Sequence, residues 1–474
     1  MNIKTSFIKA VSDLASKWSH YLKLGAVDID SEHGRGQKRE RRALHSGLVG
    51  LLSKLFSIAA SLITIPLTLQ YLGDERFGLW MAISSAIAML AFAELGVGSG
   101  LVNAISSASG RDNHQEIKKY ISSATFVLCF IGLTILLIFY GLYSHIEWAS
   151  LLHLTSPESI DEAGPAALIF VIVFALNLPI GMVQRVQMGL QMGFLSNFWQ
   201  ILSSLFTLGA VLLVVHLKLG LPLLVLAQAG MPVAIGLMNG IVFFGGRFRS
   251  LAPNISNVHI GSSLSILKLG LLFFVLQIVG AMMYSSDSII IARILGAQQV
   301  PIFTLTDKIF SFVSLIVATA LMPLWPAYSE ALSRGDIEWS FNIFKKSFIY
   351  SVAISFVLSI SLIFFGESII KLWIGRSVEI PISLFIGMGI WKVVESAGNS
   401  FAMFLNGANI VGMQVKIGLG VAIVAIFLKF QLVEKFGISG PVYGTLIAYT
   451  LFSIIPYLMF RKKILHKIKV KHAN

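Results

Sequence analysis

The chain has 474 residues, 56% of them hydrophobic and only 12% charged, with a mean hydropathy of +0.81. Soluble domains carry nearer a quarter charged residues, so this composition excludes a cytosolic enzyme and reads as an integral membrane protein. The single cysteine, Cys129, leaves no intrachain disulfide and no thiolate metal cluster, and the formal charge of +13 has to be located before it is read as nucleic-acid or membrane chemistry.

From the N-terminus, Phe7, Val11, Leu14, Trp18, Tyr21 and Leu22 recur at helical spacing among Lys4, Lys9, Lys17 and Lys23, the pattern of a helix lying on a membrane surface. Asp13 and Lys17 interrupt any signal-peptide core. The run Lys38 to Arg42 reads either as an anchor for anionic lipid or a partner, or as an orientation signal on a disordered tail; the second, plainer reading is preferred.

Apolar stretches long enough to cross about 30 Å of hydrocarbon follow at 48–71, 77–104, 120–143, 165–187, 194–216, 221–244, 266–292, 301–326, 344–366, 381–405, 410–430 and 440–460. The expected fold is an all-α integral membrane protein of twelve transmembrane helices in two six-helix bundles, related by a pseudo-two-fold axis along the membrane normal. The segments are 1–45, a basic amphipathic N-terminal piece; 46–244, the first bundle; 245–263, a linker; 264–461, the second bundle; and 462–474, a basic tail.

With the N-terminus inside, the inner segments hold twenty-four Lys and Arg and the outer ones seven. This asymmetry puts both termini and the linker in the cytoplasm and makes most of the positive charge a topology signal, so no nucleic-acid partner is expected. The loop from His145 to Gly164 carries Glu147, Glu158, Asp161 and Glu162 with no Lys or Arg, as an external loop should. A shift of 223 residues lays Leu72-Gly73 on Leu295-Gly296, so each half has a long first span that ends in Leu-Gly and turns tightly.

A charge at the centre of a span costs about 2.5 to 3.5 kcal/mol on insertion scales, so such residues should face a cleft or a partner. Span one carries Lys54, Ser57, Ser61, Thr64 and Thr68 on one face, and span two carries Glu94 at a depth that predicts a Lys54/Glu94 pair. Span seven offers Asp287, span eight Asp307 and Lys308, and span ten Lys392, Glu395, Asn399 and Asn406. Each also reads as a structural ion pair or a snorkelling side chain; the stripes around Lys54 and Lys392 continue with uncharged polar groups that a salt bridge does not need. Gly96-Val97-Gly98-Ser99-Gly100 lacks nucleotide-loop spacing and predicts close helix packing or a hinge, Asp28-Ile29-Asp30 lies in a tail too short for a sugar-nucleotide domain, and the histidines form no metal motif.

Tyr71-Leu72-Gly73-Asp74-Glu75-Arg76-Phe77-Gly78-Leu79-Trp80, then Glu94 to Gly100, Gln187-Met188-Gly189-Leu190-Gln191, and Lys268-Leu269-Gly270 through Phe273-Phe274, Gln277, Asp287 and Leu295-Gly296 resemble the Wzx-type lipid-linked oligosaccharide flippases. The resemblance spans about 46 to 461. It implies the fold of the multidrug/oligosaccharidyl-lipid/polysaccharide exporter superfamily, a bacterial inner-membrane location, an undecaprenyl-pyrophosphate glycan as substrate among membrane lipids, and polysaccharide polymerase or assembly proteins as partners. On that basis Lys54, Lys308 and Lys392 are expected to hold the pyrophosphate and Ser61, Thr64 and Asn399 to meet sugar hydroxyls. No cofactor or metal is expected; Glu94, Asp287, Asp307 and Glu395 are the candidates for proton or sodium coupling. The competing reading is a cation-coupled drug antiporter of the same superfamily, which predicts an acidic cleft. A membrane glycan polymerase or ligase would need a larger external loop than the roughly twenty residues here.

Overall fold

Inside hydrocarbon each backbone amide needs a partner within its own segment, so long apolar runs become helices. The computed structural model describes residues 31–152, 154–375 and 379–455, and the regular elements among them are all helical. Helix α1 (Glu32–Leu90) kinks at Gly73, whose φ of 74° and ψ of 175° suit a residue without Cβ, and this is the turn between expected spans one and two. A 3-10 turn (Ala91–Glu94) and a left-handed pair, Leu95 and Gly96, then break the second span before α2 (Val97–Gly110). There follow α3 (His114–Tyr143), α4 (Pro157–Gly189), α5 (Gly193–Leu217), α6 (Gly220–Val225) and α7 (Met231–Gly245). Beyond the linker come α8 (Ile260–Ile294), α9 (Val300–Leu321), α10 (Leu324–Arg334), α11 (Ile337–Ile374), α12 (Ile382–Gly407), α13 (Val411–Phe436) and α14 (Gly440–Tyr449).

Nine helical segments among the described residues are long and apolar enough to cross a membrane, against the twelve spans expected. Spans one and two merge within α1, and spans eleven and twelve run together over Val411–Ile454. Span ten, α12, is helical for 26 residues but is not among the nine; Lys392, Glu395, Asn399 and Asn406 lie along it. The surface helix expected over 7–22 and the tail 462–474 lie outside the described residues. The basic run does not belong to a disordered tail: α1 starts at Glu32, and Arg39 is only 3% exposed.

The repeat has a conformational counterpart. Gly296 adopts φ 92° and ψ 152°, close to Gly73 at the matched position. The break before α2 is answered by the break between α9 and α10, and a π-helical turn over Leu226–Gly230 is answered by one over Thr450–Ile454, a shift of 224.

Helices α1 to α7 pack mainly on one another, α1 on α5 and α3 on α4 most extensively, and α8 to α14 do likewise through α13 on α14 and α11 on α12. The two groups meet where α2 lies against α8 and α10, and α1 against α9. The closest approach is glycine on glycine: a Cβ on Gly96 would collide with the Gly270 carbonyl. The end of the molecule that carries the linker, the turn at Arg111–Asn113 and the turn at Gly335–Asp336 is termed the linker end below.

Candidate substrate cavity and linker-end gate

A cavity of about 710 Å³ lies between α1, α4 and α5 on one side and the α9–α10 junction on the other, within the size range of small-molecule sites. Three helices each give it one polar stripe at steps of three or four: Arg42, Ser46, Gly50 and Lys54 from α1; Asn177, Gly181 and Arg185 from α4; Asn197, Gln200 and Ser203 from α5. Among the described residues its charged lining is three cations, Arg42, Lys54 and Arg185, and one carboxylate, Glu94. Such a wall, with amides and hydroxyls between the cations, suits an anionic group attached to a hydroxyl-rich one.

The expected Lys54/Glu94 pair is not formed. Arg185 Nη2 lies 3.4 Å from Glu94 Oε2, and the Gly98 amide donates to Glu94 Oε1 at 2.6 Å. Glu94 sits at the break that starts α2, so its carboxylate turns to the exposed amides of that helix end and to α4 rather than across to α1. Lys54 is exposed, with no hydrogen-bond or ion-pair partner among the described residues.

The remaining expected residues lie elsewhere. Ser61 Oγ donates to the Ser57 carbonyl at 2.9 Å and Thr64 is buried; neither lines the cavity. Lys392 is 3% exposed, with its Nζ 2.9 Å from Glu395 Oε2; Glu395 also accepts from Tyr284 Oη at 2.8 Å and Ser314 Oγ at 2.9 Å. Asn399 is half-buried further along α12. Asp287 pairs with the fully buried Lys429, which also donates to the Met283 carbonyl at 2.6 Å, and Asp287 and Asp307 share a small recess with Tyr284 and Trp391. Lys308 is exposed on α9, with no ion-pair partner among the described residues. The structure thus brings Lys54 and Glu94 into one cavity and Lys392, Glu395, Asp287 and Asp307 into the second group of helices, away from it.

Arg42 and Arg185 are cavity residues that the sequence did not single out as site candidates. Helical spacing carried the missing clue, since Arg42 and Ser46 extend the Lys54 stripe by two turns.

At the linker end a second polar network joins the two groups. Arg39 donates to Glu330 and, at 2.6 Å, to Asp336 Oδ2; Arg35 Nη2 reaches Asp336 Oδ1 at 2.9 Å, and Arg39 stacks over Trp339 at 5.0 Å. Arg334 grips Asp112 through both Nη atoms at 2.8 and 2.7 Å and Glu330 at 2.9 Å. Asn103 donates to the Asn406 carbonyl at 2.8 Å and accepts from Trp325 Nε1 at 2.9 Å, and the Ser107 and Ser333 hydroxyls are 2.8 Å apart. Burial would raise the Asp336 carboxyl, but hydrogen bonds from Arg35 and Arg39 outweigh it and hold it below the usual aspartate value. Asp112 is likewise held low by its hydrogen bonds from Arg334, against its modest desolvation.

Comparison with known proteins agrees with this architecture. A family model described as "Polysaccharide biosynthesis protein" matches residues 43–332. A Yersinia pseudotuberculosis protein described as a candidate O-antigen export protein is 25% identical over 372 residues, 74% of this chain and 80% of that protein. A candidate O-antigen transporter of Salmonella typhi is 22% identical over 87% of this chain and 95% of its own length. Among solved structures, a MATE transporter in complex with MaD3S superposes with a TM-score of 0.75 at 13% identity, covering 91% of this chain and 97% of that one. A MOP-superfamily transporter from Pyrococcus furiosus superposes with a TM-score of 0.74 at 12% identity over the same shares. The chain belongs to the polysaccharide biosynthesis protein family, and it shares the fold of the MATE and MOP-superfamily transporters on which it superposes.

Proposed function

We propose that this protein carries an undecaprenyl-pyrophosphate-linked glycan of the O-antigen type from the cytoplasmic to the outer leaflet of the bacterial inner membrane, by alternating access of two like six-helix bundles. The observation that carries this reading is the cavity wall, where Arg42, Lys54 and Arg185 outnumber Glu94. A pyrophosphate needs cations and charge-assisted donors, the sugars need neutral amides and hydroxyls, and the prenyl tail stays in lipid. The names of the relatives point to the same cargo. A drug-cation antiporter would call for acidic excess, and the cavity has the opposite sign.

Lys and Arg gather at the linker end, so we place that end in the cytoplasm. On this reading the ionic network there closes the inner side and belongs to an outward-facing state of the carrier. With the cell interior negative, moving two negative charges outward at 100 mV is downhill by about 4.6 kcal/mol. Proton or sodium coupling is assigned to the carboxylates of the second bundle, Asp287, Asp307 and Glu395. Transport that ignored imposed pH and sodium gradients in proteoliposomes would remove the coupling and leave the cargo intact.

The deciding experiment is flipping of a fluorescent undecaprenyl-pyrophosphate oligosaccharide in proteoliposomes by wild type and by Lys54→Ala. Loss of flipping in a variant that still assembles in the membrane is expected. Wild-type rates would take Lys54 out of the site, and no flipping by wild type would overturn the cargo.

A further inference from the structure

We propose that Arg39 at the linker end is the loading site for the pyrophosphate of the cargo, and that Glu330 and Asp336 hold its place while that end is closed. The inference rests on the proposed cargo and deepens it, by giving the head group a first station on the cytoplasmic side. The polar stripe of the cavity does not end at Arg42. Arg39 comes three residues before it and Arg35 four before that, so Arg35, Arg39, Arg42, Ser46, Gly50 and Ser53 share one face of α1. Gln191 joins the two regions directly, since it lines the cavity and its Nε2 donates to Glu330 Oε2 at 3.3 Å.

The chemistry of the clasp is that of a phosphate site filled by carboxylates. Arg39 gives its Nε to Glu330 and its Nη2 to Asp336 Oδ2 at 2.6 Å, and this edge of a guanidinium takes two anionic oxygens side by side. Arg39 is almost fully buried, yet its Nη1 has no hydrogen-bond partner among the described residues. The two carboxylates therefore leave a donor of the fork unused, and a pyrophosphate, with more oxygens than they carry, can fill it. From Arg35 to Arg42, α1 has five cations and one carboxylate, Glu40, so withdrawal of α10 and of the turn at Asp336 leaves a strongly cationic end.

Exchange at Arg39 runs in the direction of export. Glu330 and Asp336 belong to the second group of helices, so they reach Arg39 only when the linker end is closed, and a pyrophosphate holds it only when that end is open. Cargo arriving from the cytoplasmic leaflet thus favours the state in which it loads. Lys54 lies about 22 Å further along α1 at 1.5 Å per residue. A head group that has moved on to Lys54 and Arg185 no longer competes for Arg39, and the clasp closes behind it. Return to the cytoplasmic leaflet is then blocked by the same two carboxylates.

The test is binding of a short-chain prenyl pyrophosphate to the full chain in nanodiscs of neutral lipid. Glu330→Gln with Asp336→Asn removes the competing charges and should tighten binding about tenfold over wild type, the scale of one charge-assisted hydrogen bond. Adding Arg39→Gln to that pair should abolish the gain. Asp336→Asn alone keeps Glu330 on Arg39 and serves should the pair fail to assemble, with a smaller gain that Arg39→Gln also removes. No gain in the assembled variants, or a gain that survives Arg39→Gln, would overturn the loading site and leave the cavity reading standing. The measurement repeated with phosphatidylglycerol in the nanodiscs separates cargo from bulk lipid: a gain that persists supports the cargo, and a gain that this lipid cancels would assign Arg39 to anionic phospholipid instead. Absence of binding by wild type and by every variant would remove the proposed cargo and the loading site together.

Discussion

Arg39 on α1 donates to Asp336 at 2.6 Å, so a residue of the basic N-terminal run is fastened to the turn before α11 in the other half of the molecule. Both side chains are almost fully buried, at 3% and 5% exposure, which makes the contact a buried ion pair rather than a surface one. Removing one partner of such a pair commonly costs about 3 to 5 kcal/mol, because a charge is left unpaired.

Asp336→Asn should therefore open the linker end, lowering the yield of a short thiol cross-link between Ser107→Cys and Ser333→Cys in a Cys129→Ser background. The exchange Arg39→Asp with Asp336→Arg should not recover the yield, because it sets the new carboxylate against Glu330 and the new guanidinium against Arg35. An unchanged yield in the single variant would remove Arg39–Asp336 from the gate.

The same contact sets a pH expectation. Asp336 and Asp112 both have carboxyls held below the ordinary 3.8 by guanidinium partners. A carboxyl depressed in the closed state contributes above its free value, and the contribution is lost as pH falls through the depressed value. Cross-linking with a pH-indifferent reagent should stay flat between about pH 8 and 5 and decline only below the ordinary aspartate value. A midpoint near 6 would mean that other groups control closure.

Lys392 and Glu395 make a third case. Lys392 is buried and Glu395 is also held by Tyr284 and Ser314, so Lys392→Ala alone should lower thermal stability, by about 3 to 5 kcal/mol at the buried-pair scale. Lys392→Met with Glu395→Gln should be milder. Melting curves of the detergent-purified protein decide between this and a head-group role for Lys392, which predicts normal stability with lost transport.

Two glycines should respond differently to alanine. At Gly73 nothing lies within 4 Å of an added Cβ, so Gly73→Ala should cost only the positive-φ extended backbone, about 1 to 3 kcal/mol. At Gly96 the same Cβ collides with the Gly270 carbonyl, so Gly96→Ala should lose the crossing of α2 on α8 as well and melt lower. Equal melting temperatures would contradict the close crossing.

Apolar run length and the Leu-Gly joints made the helical membrane fold legible in the sequence, because both are local properties. Gly73 and Gly296, the glycines of the two matched dipeptides, share a backbone region as well as a residue type. Which polar side chains meet was harder to read. Lys54 and Glu94 sit at similar depths and line one cavity, yet depth fixes only one coordinate; the break at Leu95–Gly96 turns Glu94 toward Arg185. Lys392 lies on a polar stripe like that of Lys54, but its partner three residues on, together with Tyr284 and Ser314 from neighbouring helices, satisfies that stripe internally. Arg39 and Arg42 belong to one basic run and lie three apart on one helix face, so about 4.5 Å of depth along the axis separates the one in the linker-end network from the one in the cavity.

Helix α1 runs from Glu32 to its kink at Gly73 as one piece, about 60 Å at 1.5 Å per residue, roughly twice the hydrocarbon thickness. A rod of that length behaves as a lever with its fulcrum inside the bilayer and Arg39 near the end of one arm. A tilt of roughly 15° about mid-rod would carry Arg39, about 20 Å from that point, through about 5 Å, more than a hydrogen bond tolerates. If the proposed alternating access rocks the first helix, that motion and rupture of its ionic clasp are one mechanical event.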